Sequence, residues 1–247
     1  MEKIDCFGAG VLAFQTNTSD GNLATHTGDD LEKVLKNRLC LQKKLTSESL
    51  REKLPAEFLQ EKFTAESLCA RLPSEPLWLR QNHGIDVTDS ENFDADADAI
   101  ISDKKNCVLA ILTADCLPIL IAGKNEIAAI HAGWRGLAGN IVENTFWNLK
   151  ENPASCTVFL GVCIQSCCFE VDSDVVKAFS GFESAFSTVD GKFFLNLQKI
   201  ARLKLLGIGV LKENILHDST CTACDARFFS YRKTKTIARQ ATLIWKI

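Results

Sequence analysis

Residues 107–136 read Cys107-Val108-Leu109-Ala110-Ile111-Leu112-Thr113-Ala114-Asp115-Cys116-Leu117-Pro118-Ile119-Leu120-Ile121-Ala122-Gly123-Lys124-Asn125-Glu126-Ile127-Ala128-Ala129-Ile130-His131-Ala132-Gly133-Trp134-Arg135-Gly136. Three apolar runs of strand length, at 107–112, 117–121 and 127–130, are separated by turn residues, which predicts a buried sheet core. Pro118 has no N–H to give to a central ladder, so Cys116 is expected at a strand break or bulge. His131 then falls at the end of a strand. Beyond the glycines, Leu137, Ile141, Val142, Phe146 and Leu149 share one face of a helix, predicted over Ala138–Lys150 and stopped before Pro153. Strand, glycine turn and helix in succession place the chain in the α/β class.

Towards the N-terminus, residues 31–71 are rich in Leu, Lys, Arg and Glu. Apolar positions Leu31, Val34, Leu35 and Leu39 follow helical spacing after the aspartate cap Asp30, which reads as surface helices. Pro73 and Pro76 end that part, and Leu77-Trp78-Leu79 is expected to be extended. Towards the C-terminus the alternation continues. Thr157–Leu160 is a predicted strand, Asp172–Phe179 and Asn196–Leu206 are predicted helices, and Ile215–His217 and Arg227–Tyr231 read as extended. Ala241–Trp245 reads as a closing strand, and no internal repeat is visible.

With 247 residues, 46% of them hydrophobic, the chain can bury a sizeable core, and a single domain over 1–247 is expected. A net charge of −3 offers no broad attraction to phosphate backbones or anionic membranes, so neither nucleic acid nor membrane is an expected partner. No run approaches the roughly 20 apolar residues that cross a bilayer, and no targeting segment is visible. Eleven cysteines, an odd number in a chain of this size, are read as reduced thiols of a cytoplasmic protein. Cys107, Cys156 and Cys168 lie in or beside apolar runs, where a thiol behaves as a small hydrophobe. The patterning selects no oligomeric state.

Three segments carry chemistry. Gln81-Asn82-His83-Gly84, Thr113-Ala114-Asp115-Cys116-Leu117-Pro118 and Ile130-His131-Ala132-Gly133-Trp134-Arg135-Gly136 supply two imidazoles and one thiol, each near a turn residue. That is a three-ligand set for zinc with an open fourth position. Gly133 and Gly136 let backbone approach a ligand, and the helix after them would present free N–H groups to an anion. Arg135 can fork onto such an anion while Trp134 offers a stacking face. Each motif also has a plainer reading, a hydrogen-bonded core histidine or a tight strand-to-helix turn. Four histidines without a His-x-His pair cannot fill the several imidazole-rich sites of a multicopper oxidase, which makes copper the less favoured metal.

Together with Ala97-Asp98-Ala99 and Phe228-Phe229-Ser230-Tyr231-Arg232, these segments resemble, in order, the signatures of the laccase-domain family, whose members are also called polyphenol oxidases or purine nucleoside phosphorylases. The resemblance runs from about Asn22 to Trp245. It implies a single α/β domain, a layered sandwich with mixed sheets and helices outside, and a zinc held by His83, Cys116 and His131. It further implies phosphorolysis of adenosine, inosine and S-methyl-5′-thioadenosine, and hydrolytic deamination of adenosine. The chain departs from the family pattern at Asn82, usually aliphatic, and at Gly161-Val162 and Gln165-Ser166, where two Gly-Pro pairs are usual. The glycine-rich turn near Ser19-Asp20-Gly21 is also shortened.

For the implied chemistry, a zinc-bound water acidic near neutral pH suits attack at the purine C6. Phosphate would be held by Arg232, Arg135 and the amides near Gly136. Asp115 and Glu170 are candidate proton shuttles, or else turn caps. Cys221-Thr222-Ala223-Cys224 has metal-ligand spacing, with Cys163, Cys167 or His217 as further ligands, but two buried thiols are the favoured reading. Competing classes are a zinc or cysteine amidase acting on cell-wall precursors, a zinc-stabilised binding module without turnover, and a copper-dependent phenol oxidase.

Overall fold

Strict alternation along the apolar runs sends successive side chains to opposite faces, and here both faces are covered. A computed structural model describes residues 1–53 and 73–247. In chain order the elements are β1 (Glu2–Lys3), β2 (Val11–Gln15), α1 (Leu31–Lys53), β3 (Leu77–Trp78), β4 (Val87–Asp89), β5 (Ala99–Ser102), β6 (Leu109–Thr113), β7 (Leu117–Ala122) and β8 (Ile127–Ala132). There follow α2 (Trp134–Ala138), α3 (Ile141–Asn148), β9 (Thr157–Leu160), β10 (Glu170–Val171), α4 (Ser173–Ala178), β11 (Phe186–Val189) and β12 (Lys192–Leu195). The last are α5 (Leu197–Gly207), β13 (Ile215–His217), α6 (Tyr231–Thr234) and β14 (Gln240–Lys246).

One mixed sheet has the order β1-β2-β14-β6-β3, a second β13-β9-β7-β8-β5-β4, and a small third β10-β12-β11. The first two sheets stack face to face. Ile100, Leu109, Ile111, Leu120, Ala129 and Ile244 fill the space between them. The outer face of the first sheet packs Phe14, Leu243 and Trp245 against Leu41 and Leu45 of α1. The outer face of the second packs Ile119, Ile130 and Val158 against Leu137, Ile141, Val142, Ile200 and Leu205 of the other helices. The result is an α/β sandwich with mixed sheets and helices outside.

Several expectations are revised. α1 starts after Asp30, which accepts the N–H of Glu32 at 2.9 Å, and is described to Lys53; residues 54–71 of the predicted helical stretch lie outside the described residues. Of its quoted apolar positions Val34 is buried, whereas Leu31, Leu35 and Leu39 are more than half exposed. The inward face is completed by Leu41 and Leu45 instead.

Cys116 falls in the break between β6 and β7, as expected, although Pro118 itself lies inside central strand β7. Its carbonyl accepts from Gly161 N–H at 2.9 Å, so the missing N–H falls on the β9 side, opposite the Gly161 carbonyl, and Gln198 Nε2 donates to that carbonyl at 3.0 Å. The single helix predicted over Ala138–Lys150 is two, because Asn140 adopts a left-handed φ of 72° between α2 and α3. Arg227–Tyr231 is a turn leading into α6, whose N-terminus is capped by the Ser230 hydroxyl accepting from Lys233 N–H. Among the described residues no helix is long and apolar enough to cross a membrane.

Candidate functional site

β6 belongs to the first sheet and β7 to the second, so Ala114-Asp115-Cys116 is the crossing between them. A crossing this short needs a sharp reversal, and Asp115 supplies it with φ 96°. Alternation along β7 and β8 puts Cys116 and His131 on the inter-sheet face, at the end where the sandwich opens. His83, with φ 63°, enters from the loop after β3. The donor atoms of His83, Cys116 and His131 all lie within 4.8 Å of one another, and the two imidazoles meet edge to face at 4.7 Å.

Gly133 makes room for this convergence. A Cβ there would stand 3.1 Å from Cys116 Sγ and 3.2 Å from His83 Cδ2, so any side chain would press on two of the three donors. Gly136 serves packing instead. The helix already begins at Trp134, and a Cβ on Gly136 would stand 3.1 Å from the Gly84 carbonyl. The expected row of amides after Gly136 is therefore inside α2, not in front of it.

Asp98 holds the histidines. Its buried carboxylate accepts from the N–H groups of Asn82 (3.3 Å), His83 (3.1 Å) and Gly84 (2.6 Å), and from His131 Nδ1 at 2.6 Å. With Nδ1 committed to Asp98, Nε2 is the His131 nitrogen left to face Cys116. Burial opposes charge on Cys116, yet the His131 imidazolium and hydrogen bonds from His131 and His83 outweigh it and bring the thiol down to about 6. Burial likewise opposes charge on His131, but the Cys116 thiolate and Asp98 lift it to about 9. Without a cation the two form a thiolate–imidazolium pair.

A cavity of about 530 Å³ opens onto these donors. Its apolar wall includes Leu112, Ile164, Phe169, Leu197 and Trp134, and its cationic side Arg135, Arg232 and Arg239. Arg135 stacks at 4.4 Å over the Trp134 ring. Arg232 lies 5.2 Å over Phe169, and its Nη1 donates to the Glu170 carbonyl at 2.9 Å. The Thr113 hydroxyl, buried in the wall, has no hydrogen-bond partner.

Of the two candidate carboxylates, one lines the cavity and one does not. Asp115 lines the cavity, but Oδ1 accepts from Thr222 Oγ1 at 2.7 Å and Oδ2 from Arg232 N–H at 2.6 Å. Glu170 does not line it; alternation along β10 turns Phe169 inward and Glu170 outward, where it pairs with Lys192 at 3.0 Å. Cys221 and Cys224 are not two buried thiols. Cys224 is exposed, and the sulfurs gathered with them belong to Cys167 and Cys168, not to Cys163 or His217.

Residues 60–247 match the family model described as multi-copper polyphenol oxidoreductase laccase. The chain belongs to this family. Purine nucleoside phosphorylase YfiH of Escherichia coli is 38% identical to this laccase-family chain over 184 residues, covering 70% of it and 75% of the relative. A purine nucleoside phosphorylase of Haemophilus influenzae is 32% identical over 236 residues, covering 91% and 86%. The crystal structure of Neisseria meningitidis protein NMB0706 superposes with a TM-score of 0.82 at 31% identity, covering 100% of this chain and 98% of that one. Although the family's name speaks of several coppers, no metal-capable cluster among the described residues of this laccase-family chain has more than two imidazoles.

Sequence reasoning missed three residues at the site. Asp98 stood in a quoted motif without a role, and its signal was an acid enclosed by two alanines that the fold buries. Arg239 and His26 lie at the cavity and carried no motif at all. Burial and the charges of Arg239 and Arg38 hold His26 below its ordinary value, leaving it neutral near pH 7.

Proposed function

We propose that the chain is a cytoplasmic, zinc-dependent purine nucleoside phosphorylase acting on adenosine, inosine and S-methyl-5′-thioadenosine, with adenosine deamination as a second activity and residues 1–247 as one domain. The observation that carries this reading is one cavity that joins three converging metal donors to aromatic rings and three arginines. Relatives named purine nucleoside phosphorylase support it.

His83, Cys116 and His131 are the proposed zinc ligands. Two imidazoles and a thiolate suit a borderline-soft ion, the Gly133 cradle leaves space at the donors, and the Asp98 bond turns His131 Nε2 towards them. Zinc held by these three residues would supply Lewis acidity near neutral pH, the chemistry needed to displace ammonia from C6 of adenosine.

In phosphorolysis the C1′–N9 bond breaks, its electron pair leaves with the purine, and a phosphate oxygen bonds to C1′. Arg232 and Arg135 hold the phosphate by charge-assisted, forked hydrogen bonds and offset its charge as it closes on C1′. Trp134 and Phe169 offer stacking faces to the base, and the apolar wall keeps water from competing with phosphate. Asp115 positions Thr222 and the Arg232 backbone, and the Glu170 carbonyl orients the Arg232 guanidinium.

The test is product analysis with metal-quantified protein, using adenosine and inosine with and without phosphate. Phosphate-dependent release of free base is expected. His131→Ala should lose metal and turnover together, whereas Arg232→Ala should keep its metal and raise the KM for phosphate roughly tenfold or more. Full phosphorolysis in both variants would remove the site assignment. A second reading, a cysteine amidase acting on cell-wall precursors, is favoured by the Cys116–His131 pair, in which a thiolate able to attack an acyl carbon lies beside an imidazolium able to protonate the leaving amine. Amide cleavage with intact nucleosides would select it.

A further inference from the structure

Four sulfurs gather on the outside of the cavity wall. Cys167 and Cys168 sit on the turn before β10, held by Cys168 N–H and Phe169 N–H donating to the Gln165 carbonyl. Cys221 and Cys224 sit on a second turn, closed by Cys224 N–H and Asp225 N–H donating to the Cys221 carbonyl. A backbone β-bridge, with Thr222 N–H donating to the Cys163 carbonyl at 3.1 Å, ties the segments carrying the two turns together. All four sulfurs lie within 4.8 Å of one another.

The measured edges are 3.8 Å for Cys167–Cys168, 3.7 Å for Cys167–Cys224 and 3.4 Å for Cys168–Cys224. A tetrahedron of thiolates around zinc at about 2.3 Å has edges of about 3.8 Å. A disulfide needs sulfurs at about 2.0 Å and pairs them two by two, whereas Cys224 here faces two sulfurs at once. Hydrophobic packing does not account for the group either, since Cys167 and Cys224 are exposed and only Cys221 is buried. The Gln165 N–H donates to the Cys221 sulfur at 3.4 Å. Such an N–H donor stabilises a sulfur carrying negative charge.

We propose that Cys167, Cys168, Cys221 and Cys224 form a closed tetrathiolate site for zinc, separate from the His83–Cys116–His131 centre, that fastens together the two loops walling the cavity. Each thiol gives its proton to solvent on binding, and with all four positions filled by protein the site is structural. Its purpose follows from its neighbours. Phe169, next to Cys168, lines the cavity, and Thr222, next to Cys221, holds Asp115. A metal clamp here holds the Arg232–Phe169 face at a fixed distance from the donors opposite.

The experiment uses the full chain carrying Cys116→Ala and His131→Ala, so that metal counted is not metal of the first centre. About one zinc per chain is expected, and a cobalt derivative should show the strong sulfur-to-cobalt absorption of several thiolates. Adding Cys168→Ser or Cys224→Ser should abolish both. Cys167, Cys168, Cys221 and Cys224 should resist alkylation until a chelator is added. A folded double variant that takes up neither zinc nor cobalt in stoichiometric amount overturns the proposal, as does a disulfide among the four found by mass spectrometry in protein alkylated before reduction. If the double variant does not fold, cobalt titration of metal-stripped wild type decides between two equivalents, as expected, and one. These readouts are independent of turnover, so they stand or fall apart from the nucleoside reading.

Discussion

At Asp98 four hydrogen bonds meet on a carboxylate with no exposed side-chain surface, three from the loop carrying His83 and one from His131. One buried charge therefore sets the position of both imidazoles. In Asp98→Asn an amide NH₂ would face one of these N–H donors. Metal affinity should fall about 10–100-fold, measured by competition with a chelator, while circular dichroism stays folded. Cys116 gives a second prediction, in pH. A thiol reacts as its thiolate, and a value lowered from 9.0 to about 6 means that the thiolate dominates from near neutrality upward. In metal-stripped protein, alkylation of the Cys116 peptide should rise with pH through about 6 rather than through 9, and saturating zinc should suppress it. A midpoint near the ordinary thiol value would show that the imidazolium is not paired with it.

Among the elements, the break between α2 and α3 shows what periodicity leaves out. Leu137, Ile141, Val142 and Phe146 are all buried, as one amphipathic helix would require, yet Asn140 turns left-handed between them. A residue of another helix holds this corner. Lys204 of α5 is buried against this corner and donates to Asn140 Oδ1 at 2.6 Å and Glu143 Oε1 at 2.7 Å. Lys204→Ala would leave Glu143 without its partner and should destabilise the protein by about 3 kcal/mol in urea unfolding. The double replacement Lys204→Met with Glu143→Leu should cost less than that single change, because no unpaired charge remains. An equal or larger loss would mean that packing, not charge, holds the corner. The exposed Leu31, Leu35 and Leu39 of α1 make a related point, since helical spacing identifies a helix without saying which side of it meets the sheet.

For the whole molecule, the proposed zinc ligands sit where two stacked sheets part, on segments far apart in the chain: a loop after β3, the β6–β7 crossing and the end of β8. Metal there binds the folded arrangement and not the unfolded chain, so its removal should lower Tm. At metal concentrations about 1,000-fold above Kd the loss from this one site is about 4 kcal/mol, or roughly 10 °C for a chain of this length, measured by scanning calorimetry of the Cys168→Ser variant before and after chelation. The sequence alone determined the alternation of strand and helix, the buried character of β6–β8, the family signatures and the choice of His83, Cys116 and His131 as candidate donors. Those are local properties, since period, turn chemistry and motif are carried by residues near one another in the chain. Only the tertiary structure decided that β6 and β7 lie in different sheets, that Glu170 turns away from the cavity while Arg239 reaches it, and that Cys167 and Cys168 meet Cys221 and Cys224. Register and crossing between sheets set those meetings, and both depend on contacts between residues distant in sequence, which no local pattern encodes.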